Sequence, residues 1–145
     1  MAPKNRKKEV SRAVDPLETK RPRGKVDQDA KFRWLTNVAD LGGPFPWTQC
    51  DHNQLFREVI PRLHNLESNT WHTLHMTGSH PISVDKICKL AHDRLHEIGK
   101  TQCENLYSLR LTGRERIWGI KIGYVFHLLW WDPGHQICPS PLKHT

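Results

Sequence analysis

Apolar residues recur with the spacing of a helix face in a segment that begins near residue 51. Asp51 has a side chain suited to an N-cap, and the apolar residues after it follow at intervals of three and four. Pro61 lies inside this segment and removes one hydrogen bond between residues i and i−4, so we expect a kink or a stop near Ile60. The apolar face consists of Leu55, Phe56, Val59, Ile60, Leu63 and Leu66.

A second segment with helical spacing runs from about residue 83 to residue 98. Ser83 can cap its first turn, and Gly99 has the backbone freedom that the residue after a helix requires. The apolar stripe consists of Ile87, Leu90, Ala91, Leu95 and Ile98. The spacing therefore predicts a second amphipathic helix.

In the last third of the chain the apolar period changes to that of strands. LYSLRLT, RERIWGIKI and YVFHLLWWD are rich in aromatic and β-branched residues, and Thr112-Gly113 and Ile122-Gly123 mark tight connections between them. Strands joined by such short turns pair in antiparallel fashion. The alternating segment KFRWLT, residues 31–36, predicts a short edge strand before the helices. The predicted order is β-α-α-β-β-β, an α+β fold with two helices packed on a small antiparallel sheet.

The last predicted hairpin leaves open which side of the sheet forms the core. If its connection is a two-residue turn, Lys121 pairs with Tyr124 and Trp118 lies opposite His127. One face then carries Arg116, Trp118, Ile120, Val125, His127, Leu129 and Trp131, and the other carries Ile117, Tyr124, Phe126, Leu128, Trp130 and Asp132. Both faces are apolar enough to be covered, and a slip of one residue would exchange them.

Charge is distributed unevenly along the 145 residues, whose formal net charge is +7. Residues 1–33 hold eleven basic and five acidic residues, a net charge of +6, and the remaining residues carry the other +1. Few large apolar residues accompany this charge, so the segment cannot bury enough surface to offset the entropy of ordering. The composition predicts a disordered basic arm over residues 1–30 and a single α+β domain over residues 31–145.

The positive charge favours nucleic acid as a partner, because basic side chains that neutralise phosphates gain affinity from counterion release. An anionic membrane surface is the rival partner, but the arm has no basic helix with a large apolar face. The longest apolar run, residues 125–131, is too short to span a bilayer, and MAPKNRKKEV is not followed by the apolar region of a secretory signal. We therefore expect a cytoplasmic protein with no membrane partner.

Cysteine spacing bears on redox state and on metal binding. The four cysteines are widely separated and form no CxxC pair, which favours reduced thiols. Cys88, His92 and His96 lie at i, i+4 and i+8 of the second predicted helix, but the outer two are about 12 Å apart along its axis, too far to share one ion easily. A pair of them with His80 or Cys50 is an alternative zinc site. A half-buried thiol beside two surface imidazoles is the simpler interpretation, so we expect no metal and no cofactor.

The C-terminal third of the chain resembles a known family. The stretch LYSLRLTGRERIWGIKIGYVFHLLWWDPGHQICPS, with the predicted element order, the small size and the basic charge, resembles the RelE/ParE-like superfamily of bacterial toxins. The likeness covers residues 32–145 and is concentrated after Leu106. Many members cleave messenger RNA on the ribosome without a metal, and others poison gyrase. The resemblance therefore implies a toxin-like endoribonuclease acting on mRNA, neutralised by a cognate antitoxin protein and using no small-molecule cofactor.

Site residues are carried over from this superfamily by position, because no single toxin's set of residues matches the chain. The implied catalytic residues are Arg116, Asp132, His135 and His144. The implied nucleic-acid-binding residues are Arg110, Arg114 and Lys143, to which the arm adds Lys7 and Lys8. Attack by the 2′-hydroxyl of RNA needs a base, a cation for the phosphate and an acid for the leaving oxygen. Histidine suits the proton transfers, and the planar fork of arginine suits the phosphate.

His135 is the first choice for proton transfer, because it follows a turn that can expose an imidazole and Asp132 can orient it. The alternative for His135 is a solvated turn residue with no role. The alternative for Arg116 is a charged residue that keeps the strand end solvated. His127 is best interpreted as a hydrogen-bonded histidine of the core. Stacking of an unpaired base on Tyr124, Trp130 or Trp131 is a further alternative, although aromatic residues of strands usually belong to a core.

Two other functions stay open at the level of sequence. A non-catalytic nucleic-acid-binding module would hold phosphates with its arm and sheet, and its binding would fall steeply with salt and largely vanish without residues 1–30. A toxin of the same fold that inhibits a protein target would leave RNA uncut. The sequence does not decide among these functions.

Overall fold

The computed structural model describes residues 29–139, so the predicted basic arm lies almost wholly outside the described residues. The sheet strands and helices, in chain order, are β1 (Arg33–Leu35), α1 (three continuous stretches, His52–Gln54, Leu55–Val59 and Ile60–Leu66), α2 (Trp71–Met76), β2 (His80–Ser83), α3 (Lys89–Glu97), β3 (Asn105–Thr112), β4 (Glu115–Ile122) and β5 (Val125–Asp132). The α+β class is therefore confirmed. Among these helices, none is both long enough and apolar enough to cross a membrane.

The five strands form one mixed sheet in the order β1-β5-β4-β3-β2. Strands β3, β4 and β5 are consecutive antiparallel neighbours, as predicted. The predicted purely antiparallel sheet is wrong in two respects. The first strand runs parallel to β5, with Arg33 opposite Val125. The unpredicted β2 pairs with β3 as an edge strand, a position that tolerates Pro81 because an edge residue need not donate to the sheet.

Helices cover both faces of the sheet rather than one. The first face, with Leu109, Ile117 and Phe126, packs against Val59 and Leu63 of α1 and against α2. The second face, with Trp118, Leu129 and Trp130, packs against Ala91 and Leu95 of α3. The sequence left open which face of the sheet forms the core, and the structure has a core on each face, because the apolar residues on both faces need cover.

The first helix begins as predicted but does not stop near Ile60. Asp51 Oδ2 accepts a hydrogen bond from the backbone N–H of Gln54 at 3.2 Å, so the N-cap is confirmed. The stretch Leu55–Val59 is a π-helix, in which the Ile60 N–H bonds to the Leu55 carbonyl five residues back. This wider turn accommodates Pro61 within a continuous helix, since proline has no N–H to donate and its ring needs space toward the preceding turn.

The third helix is shorter than the predicted segment. Ser83 accepts from the backbone N–H of Asp85 at 3.2 Å, but it caps a 3-10 turn (Val84–Lys86) and the α-helix begins at Lys89. Leu90 is 63% exposed and does not belong to the apolar stripe. Gly99 has a φ of 75°, which confirms the predicted end of the helix.

The last hairpin has a different register from the predicted one. Ile122 pairs with Val125, so the turn residues are Gly123 and Tyr124 rather than Ile122 and Gly123. A bulge at Leu129 then brings Trp118 opposite Trp130. Because of this extra residue, Trp130 faces the second side of the sheet and Trp131 the first, the reverse of the predicted assignment.

Gly119 lies beside this bulge, at a position where a side chain would not fit. A Cβ atom at this position would lie 2.5 Å from the His127 carbonyl oxygen and 2.5 Å from the Phe126 ring. The close approach of β5 to β4 therefore depends on glycine, a use of glycine that is common at bulges.

Candidate functional site

Five of the residues proposed from the sequence lie together at one end of the sheet. Arg110 of β3 is opposite Arg116 of β4, and Arg116 is in turn opposite Asp132 of β5. Arg114 lies in the β3–β4 turn, and His135 follows β5. We call this group of Arg110, Arg114, Arg116, Asp132 and His135 the arginine end.

Arg110 and Arg116 project from the second face as a cross-strand pair of like charges, an arrangement that costs stability. Burial, followed by the charge of Arg110, lowers the pKa of Arg116, although Asp132 acts in the opposite direction. Within residues 29–139, no carboxylate forms an ion pair with Arg110, Arg114 or Arg116. Three guanidinium groups therefore lie here with one buried carboxylate, Asp132, which acts on Arg116 without forming an ion pair with it.

Backbone carbonyls hold two of these guanidinium groups in place. Arg116 Nη1 donates to the Gly113 carbonyl at 2.6 Å and to the Glu115 carbonyl at 3.1 Å. Arg114 Nη2 donates to the Gly134 carbonyl at 3.4 Å, which links the β3–β4 turn to the segment after β5. Carbonyl partners orient an arginine without neutralising it, so its charge stays available to an anion.

Arg62 reaches the same region from α1 and was missed by the sequence analysis. Its Nη2 donates to the Arg110 carbonyl at 3.4 Å, at a point where β3 extends past the end of β2. Its Nε is buried and has no hydrogen-bond partner in the described part of the chain. The signal available in the sequence was only a charged residue on a predicted helix, which by itself is typical of a solvated helix face.

Asp132 organises the segment that carries His135. The carboxylate is 1% exposed, and it accepts from Trp118 Nε1 at 3.1 Å and from the backbone N–H groups of Gln136 and Ile137 at 2.8 and 3.0 Å. These three donors occupy both oxygens. The geometry therefore gives Asp132 a positioning role in this segment, rather than the direct contact with the His135 ring that the sequence suggested.

His135 has an unusual backbone conformation. Its φ is 58°, the one non-glycine residue with positive φ in residues 29–139, and its N–H bonds to the Asp132 carbonyl at 3.4 Å. A non-glycine residue in the left-handed region carries strain, which tends to persist where function or the surrounding structure requires it. The residue is half-buried.

The remaining site residues from the sequence are Lys7, Lys8, Lys143 and His144, and all four lie outside the described residues. The expected core role of His127 fits its 2% exposure and the 2.8 Å hydrogen bond between its Nδ1 and Asn37 Oδ1.

The aromatic residues Trp130 and Trp131 are buried in the two cores, so neither is available for stacking. Trp130 is fixed by a second buried carboxylate, since Asp40 Oδ2 accepts from its Nε1 at 2.9 Å and Asp40 also receives two hydrogen bonds from Arg94. Burial alone would raise the pKa of Asp40, but these donors outweigh it and hold the pKa below its usual value. The Asp40–Arg94 ion pair therefore stabilises the second face and lies outside the arginine end.

Metal chemistry has no visible basis among the described residues, where no three His, Cys, Asp or Glu side chains are grouped to hold an ion. The rings of His92 and His96 are 5.2 Å apart on α3, but the residues that would complete a site with them are not adjacent.

Fold and site together define an α+β protein with helices on both faces of a mixed sheet and a cationic sheet end. Comparison with models of protein families, with curated proteins and with solved structures gave no match.

Proposed function

We propose that the protein is a metal-independent endoribonuclease that cleaves mRNA, with the arginine end as its phosphate-binding site. The observation that carries this proposal is that Arg110, Arg114 and Arg116 lie at one end of the sheet without an ion pair to a carboxylate among the described residues, and that Arg114 contacts the Gly134 carbonyl beside the left-handed His135. Arginine donates paired hydrogen bonds to phosphate oxygens, and histidine transfers protons near neutral pH. Both kinds of group are needed to cleave RNA without a metal.

In the proposed reaction, the 2′-hydroxyl of one nucleotide attacks the adjacent phosphorus. The O2′–P bond forms and the P–O5′ bond breaks, which yields a 2′,3′-cyclic phosphate and a 5′-hydroxyl. His135 accepts the proton of the 2′-hydroxyl, and a second acid protonates the leaving 5′-oxygen. His144 is the candidate acid carried over by position. The guanidinium groups stabilise the charge that develops on the non-bridging oxygens.

The proposal includes a RelE-like relationship, a cytoplasmic location and a cognate antitoxin whose acidic or apolar segment covers the arginine end. The relationship is proposed for β1, α1 and the β3–β5 meander, because β2 and the placement of α3 on the second face add to the predicted order. Ribosome-bound mRNA is the proposed substrate. A small reading frame for a helix-forming, DNA-binding protein next to this gene is the expected genetic context.

The direct test incubates the purified full-length protein with RNA in the presence of EDTA. The wild type is expected to produce 2′,3′-cyclic phosphate ends. His135→Asn is expected to reduce the rate about a hundredfold, because general acid–base catalysis contributes on the order of 10²–10⁴. Asparagine tolerates the left-handed backbone, so the melting temperature is expected to stay near that of the wild type.

His64→Gln is the matched control, since His64 is an exposed histidine of α1 and is expected to leave the rate unchanged. Induced expression without a partner is expected to arrest growth and to cleave transcripts, and Arg116→Ala should abolish both effects. RNA that stays intact with the purified protein, or cleavage that survives His135→Asn at the wild-type rate, contradicts the proposal. Growth arrest with intact transcripts would instead indicate a toxin with a protein target.

A non-catalytic RNA-binding module is the second candidate, and one observation favours it. In residues 29–139 the arginine end contains a single imidazole, whereas this cleavage uses two proton-transfer groups. Under this alternative, RNA binds but is not cut, and His135→Asn leaves the affinity unchanged. The logarithm of the affinity falls linearly with the logarithm of the salt concentration, and the slope decreases by about 1 for each arginine removed.

A further inference from the structure

A cleft of about 510 Å³ lies at the opposite end of the sheet from the arginine end. It is bounded by α2 on one side and by β2, β3 and the end of β4 on the other. Its lining includes His72, His75, Pro81, Asn105, Tyr107 and Lys121. We call it the histidine cleft. Its volume lies within the range of roughly 300–1,000 Å³ that is typical of sites for small organic ligands.

The aromatic wall of the cleft is held in a defined position. Trp71 Nε1 donates to the Tyr124 carbonyl at 2.9 Å, and the rings of Trp71 and Tyr107 meet edge to face with centroids 5.0 Å apart. The Tyr107 hydroxyl donates to the Ser79 carbonyl at 3.2 Å. Burial raises the pKa of Tyr107 to about 12, so this hydroxyl stays protonated and the contact is kept at neutral pH. The wall is therefore formed before any ligand binds.

Nitrogen-containing side chains dominate the polar part of the lining. His72 and His75 are both exposed and are three residues apart on α2, so they lie on the same side of the helix. Lys121 Nζ lies 4.8 Å from the centre of the Trp71 ring, on the first face of the sheet. No aspartate or glutamate is among the described residues that line the cleft. The cleft therefore favours an anion over a cation.

We propose that the histidine cleft binds a nucleoside monophosphate unit, with the phosphate near His72, His75 and Lys121 and the base against Pro81 and Tyr107. A phosphate ion alone would leave most of the volume empty, and an uncharged base would make no use of the hydrogen-bond donors of the two imidazoles and the Lys121 ammonium group. Asn105 offers an amide donor and an amide acceptor, the combination that the edge of a nucleobase pairs with. The unit is either a free nucleotide or an unpaired nucleotide of an RNA strand.

This inference goes beyond the proposed endoribonuclease and does not depend on it. Lys121 and Arg116 are five residues apart on β4, about 17 Å along the strand. Their side chains also project from opposite faces, because successive side chains of a strand alternate between faces and the two positions differ by five, an odd number. The cleft and the arginine end are therefore separate sites, and either can be present without the other.

The test is an NMR titration of the full-length protein that follows the imidazole signals of His72 and His75. The probes are 5′-AMP, inorganic phosphate, adenosine and a 2′-O-methyl tetranucleotide, whose blocked 2′-oxygen prevents cleavage. AMP is expected to give saturable shifts with a Kd at least about tenfold lower than that of phosphate or adenosine, because both halves of the ligand contribute contacts. Shifts with AMP identify a free nucleotide as a ligand, and shifts with the tetranucleotide alone identify the strand as the source.

The double variant His72→Gln/His75→Gln is expected to weaken AMP binding about tenfold or more, since two hydrogen bonds to a charged group are lost. Both side chains are exposed, so the fold is expected to survive. His64→Gln is the control and is expected to bind AMP as the wild type does. Lys121→Gln is expected to weaken binding as well, and its melting curve shows whether the lost contact with Trp71 also affects the fold.

Absence of a saturable shift with every probe, or equal affinity of the wild type and the double histidine variant for AMP, would overturn the inference. The RNA cleavage assay separates this failure from failure of the proposed function, because cleavage depends on His135 and not on the cleft. A protein that binds AMP and leaves RNA intact supports the cleft and contradicts the nuclease. A protein that cleaves RNA and gives no shift with any probe supports the nuclease and contradicts the cleft.

Discussion

The arginine end and the histidine cleft occupy opposite ends of one sheet and are built in different ways. The arginine end collects guanidinium groups from strand ends and turns, and its fixed part is the turn that Asp132 organises. The histidine cleft is a concave space between α2 and the sheet, with Trp71 and Tyr107 as a preformed wall. A cationic surface at a sheet end suits the phosphates of a polymer, whereas a concave cleft suits a small ligand. The two proposed anion sites therefore differ in the kind of surface that the same sheet provides.

The largest expected effect concerns the buried carboxylate of the arginine end. Asp132→Ala removes three hydrogen bonds to a buried charge and leaves their donors unpaired, so the free energy of unfolding is expected to fall by about 3 kcal/mol. Urea unfolding measures this change. Asp93→Ala is the control, because Asp93 pairs with Lys89 on the exposed side of α3 and is expected to change stability little. A variant at Asp132 as stable as the wild type would remove the basis for its positioning role.

The next prediction separates the two sites by activity. Arg110→Gln/Arg116→Gln is expected to lower the rate of RNA cleavage about a hundredfold, as expected when donors to a developing charge are removed. At saturating RNA, His72→Gln/His75→Gln is expected to leave that rate within about twofold, since the cleft is remote from the reacting phosphate and can contribute only to RNA affinity. Arg57→Gln, an exposed arginine of α1, is the control. An equal loss of cleavage rate in both double variants would contradict the assignment of cleavage to the arginine end alone.

A smaller effect is expected from the wall of the cleft. Trp71→Phe keeps an aromatic ring but loses the hydrogen bond to the Tyr124 carbonyl, which is expected to cost about 1 kcal/mol of stability. Because the wall then loses its fixed position, AMP should bind more weakly in the NMR titration while RNA cleavage continues at the wild-type rate. Unchanged AMP affinity together with the loss of stability would indicate that the wall has only a structural role.

The smallest effect is a dependence on pH that belongs to neither site. Burial and the charge of Lys100 lower the pKa of His127 below 6.5, so the unfolded chain binds a proton at a higher pH than the folded protein does. Stability is therefore expected to fall as the pH decreases through about 6.5, by less than about 1 kcal/mol before other groups titrate. His127→Gln, which can still donate to Asn37, should remove this part of the pH dependence of unfolding. An unaltered pH profile would contradict the assignment.

Much of the fold can be predicted from local sequence patterns. The predictions that are wrong concern features that depend on tertiary contacts. The cap of α1, the end of α3 at Gly99 and the β3–β5 meander each depend on neighbouring residues, so the sequence predicts them. The bulge at Leu129 depends on how closely β5 approaches Gly119, and periodicity does not register one extra residue within an apolar run. The short β2 contains Pro81, a residue that argues against a strand unless its edge position is known.

The two sites differ in how far sequence reasoning reaches them. Arg110, Arg114 and Arg116 could be predicted to lie close together, because they flank one hairpin turn and therefore share one end of the sheet. Arg62 joins them through α1, a contact that no local pattern encodes. The spacing of His72 and His75 on a helix after a threonine cap was the available signal for the cleft. Its meaning depends on side chains of β2, β3 and β4 that are remote in sequence.

The most direct measurement of the central claim follows the arginine Nε–Hε signals and the His135 imidazole while an uncleavable 2′-O-methyl RNA is added to the full-length protein. The account predicts saturable shifts of Arg110, Arg114, Arg116 and His135 that weaken as salt is raised. Arginine and His135 signals that stay unchanged while the RNA binds elsewhere on the protein would contradict the account.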